Sequence, residues 1–191
     1  MLTLKQIAAK IAPLDGREAA DVHSKLRNPQ IYRLLTPAHA GPGRTSAAYY
    51  AENELIRARI IVALLDLNFL SAEVEEVSLA LDYRTEPGFV GEVIKNPPSA
   101  EVLGGKGYHY RTGLDSIIRG ALAGEDWRIR VTITRSESGE RKIRAHVAWH
   151  AWQESIRASR ASASARHETL MGKMEIYASG LIAPLLPPMK G

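Results

Sequence analysis

The sequence predicts an α+β protein in two parts, and three observations carry that reading. Residues 1–35 and 54–81 place apolar residues at three- and four-residue spacing, the mark of helices buried along one face. Between them, residues 36–46 crowd prolines and glycines into a loop that belongs on the surface. Residues 127–149 then change period: apolar and polar residues alternate on both sides of a glycine-bearing turn, which is the pattern of a β-hairpin.

Composition narrows the classes of function. At 191 residues, 45% hydrophobic and 24% charged, the chain has what it needs to bury real cores. No run of about 18 apolar residues is present, so no membrane span is expected, and Met1–Gln6 lacks the pattern of a secretory signal. There is no cysteine, which excludes disulfides, thiolate metal sites and thiol redox chemistry and suits a cytoplasmic protein. The net charge of +4 is unevenly spread. Residues 1–46 hold seven Lys/Arg against three Asp/Glu, residues 47–86 three against eight, and the remainder fifteen against ten. A basic recognition surface backed by an acidic support has that distribution.

Along the chain, Thr3 is placed to cap a first helix with Leu4, Ile7, Ala8 and Ile11 on one face, ended by Pro13. Asp15-Gly16 makes a turn, and Asp15 is read as the cap of a second helix from about Arg17 to Leu26. Its inner face is Ala19, Val22 and Leu26; Arg17, His23, Ser24, Lys25 and Arg27 lie opposite. Asn28-Pro29 interrupts the pattern, and Ile31, Leu34 and Leu35 add a short turn stopped by Pro37. After the loop, Leu55 to Leu65 is apolar around most of its girth, so that helix is expected to be largely buried. Asn68-Phe69-Leu70 turns the chain, and Ser71 is read as the cap of a helix burying Val74, Val77 and Leu81.

Two short helices, a loop able to project and a locking helix are the layout of a winged helix-turn-helix. Leu34-Leu35-Thr36-Pro37, Arg44, Tyr49-Tyr50, Leu55, Arg59-Ile60-Ile61, Leu64–Leu67, Phe69 and Val74 together resemble the MerR-type winged helix over about 80 residues. Asn68 stands where that family has glycine, and asparagine also tolerates the left-handed backbone. The stretch 12–30 departs from the family's residues, and no heptad run follows for a dimerising coiled coil. The resemblance therefore implies the DNA-binding head and not the sensing mechanism.

The second half reads as a glycine- and proline-rich linker over 82–112 and a small α+β domain over 113–191. The domain has a helix from Leu114 to Ala123, with Leu114, Ile117, Ile118 and Ala121 inward, and then the hairpin. Trp127, Ile129, Val131 and Ile133 face Ile143, Ala145, Val147 and Trp149, with core roles expected for both tryptophans. The wet face carries Arg128, Arg130, Lys142, Arg144 and His146 as a basic stripe. Residues 151–168 are low in complexity and suit a frayed helix or a loop; Met174, Ile176 and Tyr177 offer a third strand, and Leu181–Leu186 an apolar closing segment.

The expected function is sequence-selective binding of double-stranded DNA, as in a bacterial transcriptional regulator. Arg17, His23, Ser24, Lys25 and Arg27 on the recognition helix 17–27 would enter the major groove. Arg44, Thr45, Ser46 and Tyr49 on a wing over 40–49 would hold the backbone, while one tyrosine of the Tyr49-Tyr50 pair turns into the core. Extending the site calls for a homodimer or higher oligomer, through the 54–81 helices or the second domain. A nucleoid-associated cytoplasmic location follows, with no cofactor, no metal and no effector specified. His146 and His150 on one strand would stand about 13 Å apart, too far to share an ion. Neither a nucleophile elbow, a phosphate-cradling glycine loop nor a paired-carboxylate constellation occurs, so no enzymatic activity is expected. Two alternatives stand beside this reading. One is a phage-type DNA adaptor, excisionase-like or small-terminase-like; the other is a protein-interaction or ligand-binding module without DNA binding.

Overall fold

The structure is a computed structural model, and it describes residues 1–40, 48–82, 112–149 and 168–187. It is mixed helix and sheet, with two antiparallel three-stranded sheets. Contacts divide the chain into two units: Met1–Ser78 with Gly180–Gly191, and Leu79–Ser179. That division cuts α5 near its end and groups the C-terminal stretch with the first unit, whereas the sequence places a boundary at 81 and keeps 113–191 together.

In the first unit, β1 (Leu2–Thr3) leads directly into α1 (Leu4–Ile11). Thr3 closes a reciprocal cap with Gln6, so two orphan donors of the first turn are satisfied. Ile7, Ala8 and Ile11 are buried along the expected stripe. A 3₁₀ turn, Ala12–Asp15, ends at Gly16 with φ 63°. The helix α2 (Ala19–Arg27) starts two residues later than expected, and its N-cap is Glu18, without a side-chain bond. Asp15 does not cap it; its carboxylate faces Arg59 instead. Val22 and Leu26 are fully buried and hold α2 against the core.

The short helix α3 (Pro29–Tyr32) is capped by Asn28. The region after it is not irregular throughout, as its prolines suggested: Pro37–Ala40 forms β2, which pairs with β3 (Ala48–Tyr50). Proline is tolerated because β2 is an edge strand and Pro37 is its first residue. The sheet order is β1-β3-β2, with Leu2 and Pro37 both opposite Tyr50.

The helix α4 (Glu52–Asp66) is buried around its girth as predicted, from Leu55 to Leu64 with only Ala63 partly open. The burial includes charge: Glu54, Arg57 and Arg59 are all at most 6% exposed. Arg57 donates to Glu54 at 3.2 Å and to Ser78 Oγ at 3.0 Å, and Glu54 accepts the Thr36 backbone N–H at 3.0 Å. Asn68 adopts φ 60°, a left-handed backbone that asparagine tolerates. The helix α5 (Ser71–Asp82) follows. Ser71 is its first residue and not its cap; Glu73 reaches back to the Leu70 backbone N–H at 2.8 Å. Val74 and Val77 are fully buried.

In the second unit, α6 (Gly113–Leu122) has a reciprocal cap between Thr112 and Asp115. Its buried stripe is Gly113, Leu114, Ser116, Ile117 and Gly120, while Ile118 and Ala121 are only partly covered. Two small residues on the stripe let a strand approach closely: Trp127 lies where any side chain at 120 would be. The hairpin forms in the predicted register, β4 (Trp127–Ser136) with β5 (Arg141–Trp149), Trp127 opposite Trp149. Trp127 is buried, its ring N–H donating to Glu125 at 2.7 Å and its backbone N–H to Ser179 Oγ at 2.7 Å. The side chain of Trp149 lies outside the described residues.

A third strand, β6 (Glu168–Tyr177), pairs with β4 and makes β4 the central strand. The expected basic stripe is thereby changed. Glu175 enters it, accepting from Arg130 Nε at 2.8 Å and Arg128 Nη1 at 3.3 Å, and Asp126 also binds Arg128 at 2.6 Å. The stripe is an ion-paired network and not a free cationic face. A last helix, α7 (Ala178–Ile182), and a 3₁₀ turn, Ala183–Leu185, take the place of the predicted apolar segment. The linker 83–111 and the low-complexity segment 151–167 lie outside the described residues.

Candidate nucleic-acid interface

The residues expected to touch DNA divide into three groups. Arg17 and Lys25 converge on Asp66 at the end of α4, Arg17 at 2.6 Å. The carboxylate holds the Arg17 guanidinium above its ordinary value. Both cations are about one-third exposed, but their charge is answered within the fold. Arg17 also precedes α2 and is not on it. These two residues position α2 against α4, a role that the 49- and 41-residue separations conceal from sequence reasoning.

His23, Ser24 and Arg27 form the second group. They lie on α2, with Ser24 and Arg27 exposed and His23 half-buried. Among the described residues Arg27 has no carboxylate partner, in contrast to Arg17, Lys25, Arg33, Arg57 and Arg59. The acidic block read from the sequence is what neutralises those five: Asp66, Glu75, Glu54 and the earlier Asp15. It leaves Arg27 outside its reach.

The third group is the loop between β2 and β3. Arg44, Thr45 and Ser46 lie outside the described residues. Tyr49 and Tyr50 divide as strand geometry requires, Tyr49 being 43% exposed and Tyr50 fully buried. Burial pushes the Tyr50 phenol pKa up, with Tyr32 and Glu54 adding to the effect. Its hydroxyl lies beside Tyr32 but makes no hydrogen bond of good geometry among the described residues.

A groove of about 510 Å³ runs beside α2. Lys5, His23, Arg27, Tyr32 and Tyr50 line it, together with the first turn of α1. Sequence reasoning overlooked Lys5 and Tyr32. Lys5 lies off the apolar stripe of α1, and nothing in its spacing relates it to Arg27.

Compared with known protein families, curated proteins and solved structures, the chain matches none. The site is therefore read on its own geometry. Among the described residues no group of three His, Cys, Asp or Glu side chains is placed to hold a metal, and His150 lies outside them. No described helix is long and apolar enough to cross a membrane.

Proposed function

We propose that the protein binds double-stranded DNA sequence-selectively through its first unit, as a winged helix-turn-helix regulator does. The observation that carries this reading is the unpartnered, exposed end of α2. Ser24 and Arg27 project from a helix whose opposite face is locked by Val22, Leu26 and the Asp66 ion pairs. A rigid helix presenting a free guanidinium and a hydroxyl suits base edges and phosphates in a major groove. In this proposal Arg44, Thr45 and Ser46, which follow β2 in the sequence, contact the DNA backbone together with Tyr49 on β3.

Arg17 and Lys25 are assigned to the fold in this proposal, leaving His23, Ser24 and Arg27 as the reading residues. A homodimer would extend the contacted site, and no cofactor enters the mechanism. The test is binding of the whole protein to random and genomic duplexes across a salt series. Tight binding that falls steeply with salt and is weakened by Arg27→Ala supports the proposal, and the enriched fragments identify the site. Wild-type protein that binds no duplex at low salt would refute it.

A further inference from the structure

Eight cations are described in the helical unit between Lys5 and Arg59, and five of them are paired with carboxylates. Lys5, Lys10 and Arg27 are not. Two of those three, Lys5 and Arg27, line one groove, and among the described residues no acidic one lines it with them. Half-buried His23 adds a third nitrogen-bearing side chain to the same wall. The first turn of α1 is also there, its Leu4 and Lys5 backbone N–H groups adding the positive end of the helix. The lining therefore favours an anion from several directions at once.

A second observation is independent of charge. Tyr50 lines the groove and is fully buried, yet among the described residues its hydroxyl makes no hydrogen bond of good geometry, Tyr32 being its polar neighbour. A sealed, unsatisfied hydroxyl costs stability, so an occupant that accepts its proton would recover that cost. Tyr32, 42% exposed, is the residue beside that hydroxyl. Tyr50 remains a protonated donor throughout the physiological range, because burial opposes the phenolate.

We propose that this groove is a phosphate-binding site formed by Lys5, Arg27, His23 and the Tyr50 hydroxyl, and that it takes a phosphodiester of the DNA backbone next to α2. The proposal rests on the DNA-binding reading for the source of the phosphate, but the site itself does not. It makes Lys5 and Tyr50 contact residues on either side of the recognition helix's end. A backbone phosphate held there would fix how deeply α2 sits in the major groove.

The experiment uses the full chain with Lys5→Gln, Lys10→Gln and Tyr50→Phe, a duplex salt series, and inorganic phosphate and AMP as free-phosphate probes. Lys5→Gln is expected to lower the slope of log K against log salt by about one and to weaken all duplexes alike, whereas Lys10→Gln leaves the slope unchanged. Tyr50→Phe is expected to bind duplex about 10-fold more weakly while unfolding at the same or higher denaturant concentration, since an orphaned hydroxyl is removed. If wild type binds duplex and Lys5→Gln and Lys10→Gln behave alike, the groove is not a phosphate site, though the DNA reading survives. If duplex fails to bind but phosphate or AMP binds and Lys5→Gln weakens it, the groove is upheld and the DNA source is refuted. If none of the probes binds, both proposals fall.

Discussion

Replacing Gly120 with alanine sets two physical effects against each other. Glycine in the middle of a helix costs roughly 1 kcal/mol relative to alanine, so helix propensity alone predicts that Gly120→Ala stabilises. The packing predicts the reverse. A β-carbon at 120 would interpenetrate the Trp127 ring at Cδ1 and Nε1, with Cγ at 2.9 Å. Carbon atoms pack at about 3.5–4.0 Å, so the ring would have to retreat by about 1 Å or more. Trp127 is only 2% exposed, which leaves it no free space to retreat into. Overpacking of that kind costs about 3 kcal/mol, and disturbing the 2.7 Å bond to Glu125 adds about 1 kcal/mol. Net of the propensity gain, Gly120→Ala should destabilise the second unit by about 3 kcal/mol. The assay is urea unfolding followed by tryptophan fluorescence, with Gly172→Ala as control, where an added methyl meets nothing within 4 Å. A Gly120→Ala protein as stable as wild type, or more so, would show that α6 does not press on Trp127.

Other perturbations have equally definite outcomes. Asp66→Asn should cost about 1–2 kcal/mol, discounted for the one-third exposure of Arg17 and Lys25, and thermal melts at low salt would measure it. The hydrogen bond from Arg59 holds the Asp15 carboxyl below its ordinary value, so this pair stabilises fully above about pH 4 and is lost as pH falls through the lowered value. The stability difference between wild type and Asp15→Asn should accordingly be flat from pH 5 to 7 and shrink below pH 4, as read from denaturation across pH. At Asn68, with φ 60°, glycine should be neutral or stabilising and valine should cost about 1–2 kcal/mol in the same melts.

What the sequence made legible is what is local and periodic. Alternation from Trp127 to Trp149 gave the hairpin and its register, because a one-residue slip would turn every apolar side chain outward. The Thr3 cap, the girth of α4 and the left-handed Asn68 were equally accessible from near neighbours. The functional surface was read less well, since exposure of a cation depends on carboxylates far away in sequence. Arg17 and Lys25 look like recognition residues until Asp66 is brought beside them. Asp15 reads as the cap of α2, but that helix begins only at Ala19 after Glu18, and the Asp15 carboxylate meets Arg59, 44 residues on. Lys5 was overlooked for the converse reason: its significance is that it forms no ion pair among the described residues.

The central position of β4 has a consequence for how the chain emerges from a ribosome. Its partnership with β5 crosses one tight turn, and such hairpins close in microseconds. Its partnership with β6 depends on residues as far off as Glu175, which lies 45 positions beyond Arg130 and 47 beyond Arg128. At ordinary rates of synthesis, that strand follows the hairpin by a few seconds. For that interval one edge of β4 is bare, and Arg128 and Arg130 lack Glu175. The nascent hairpin is thus a cationic, open-edged ribbon, and its exposure to wrong partners ends only when the last fifth of the chain arrives.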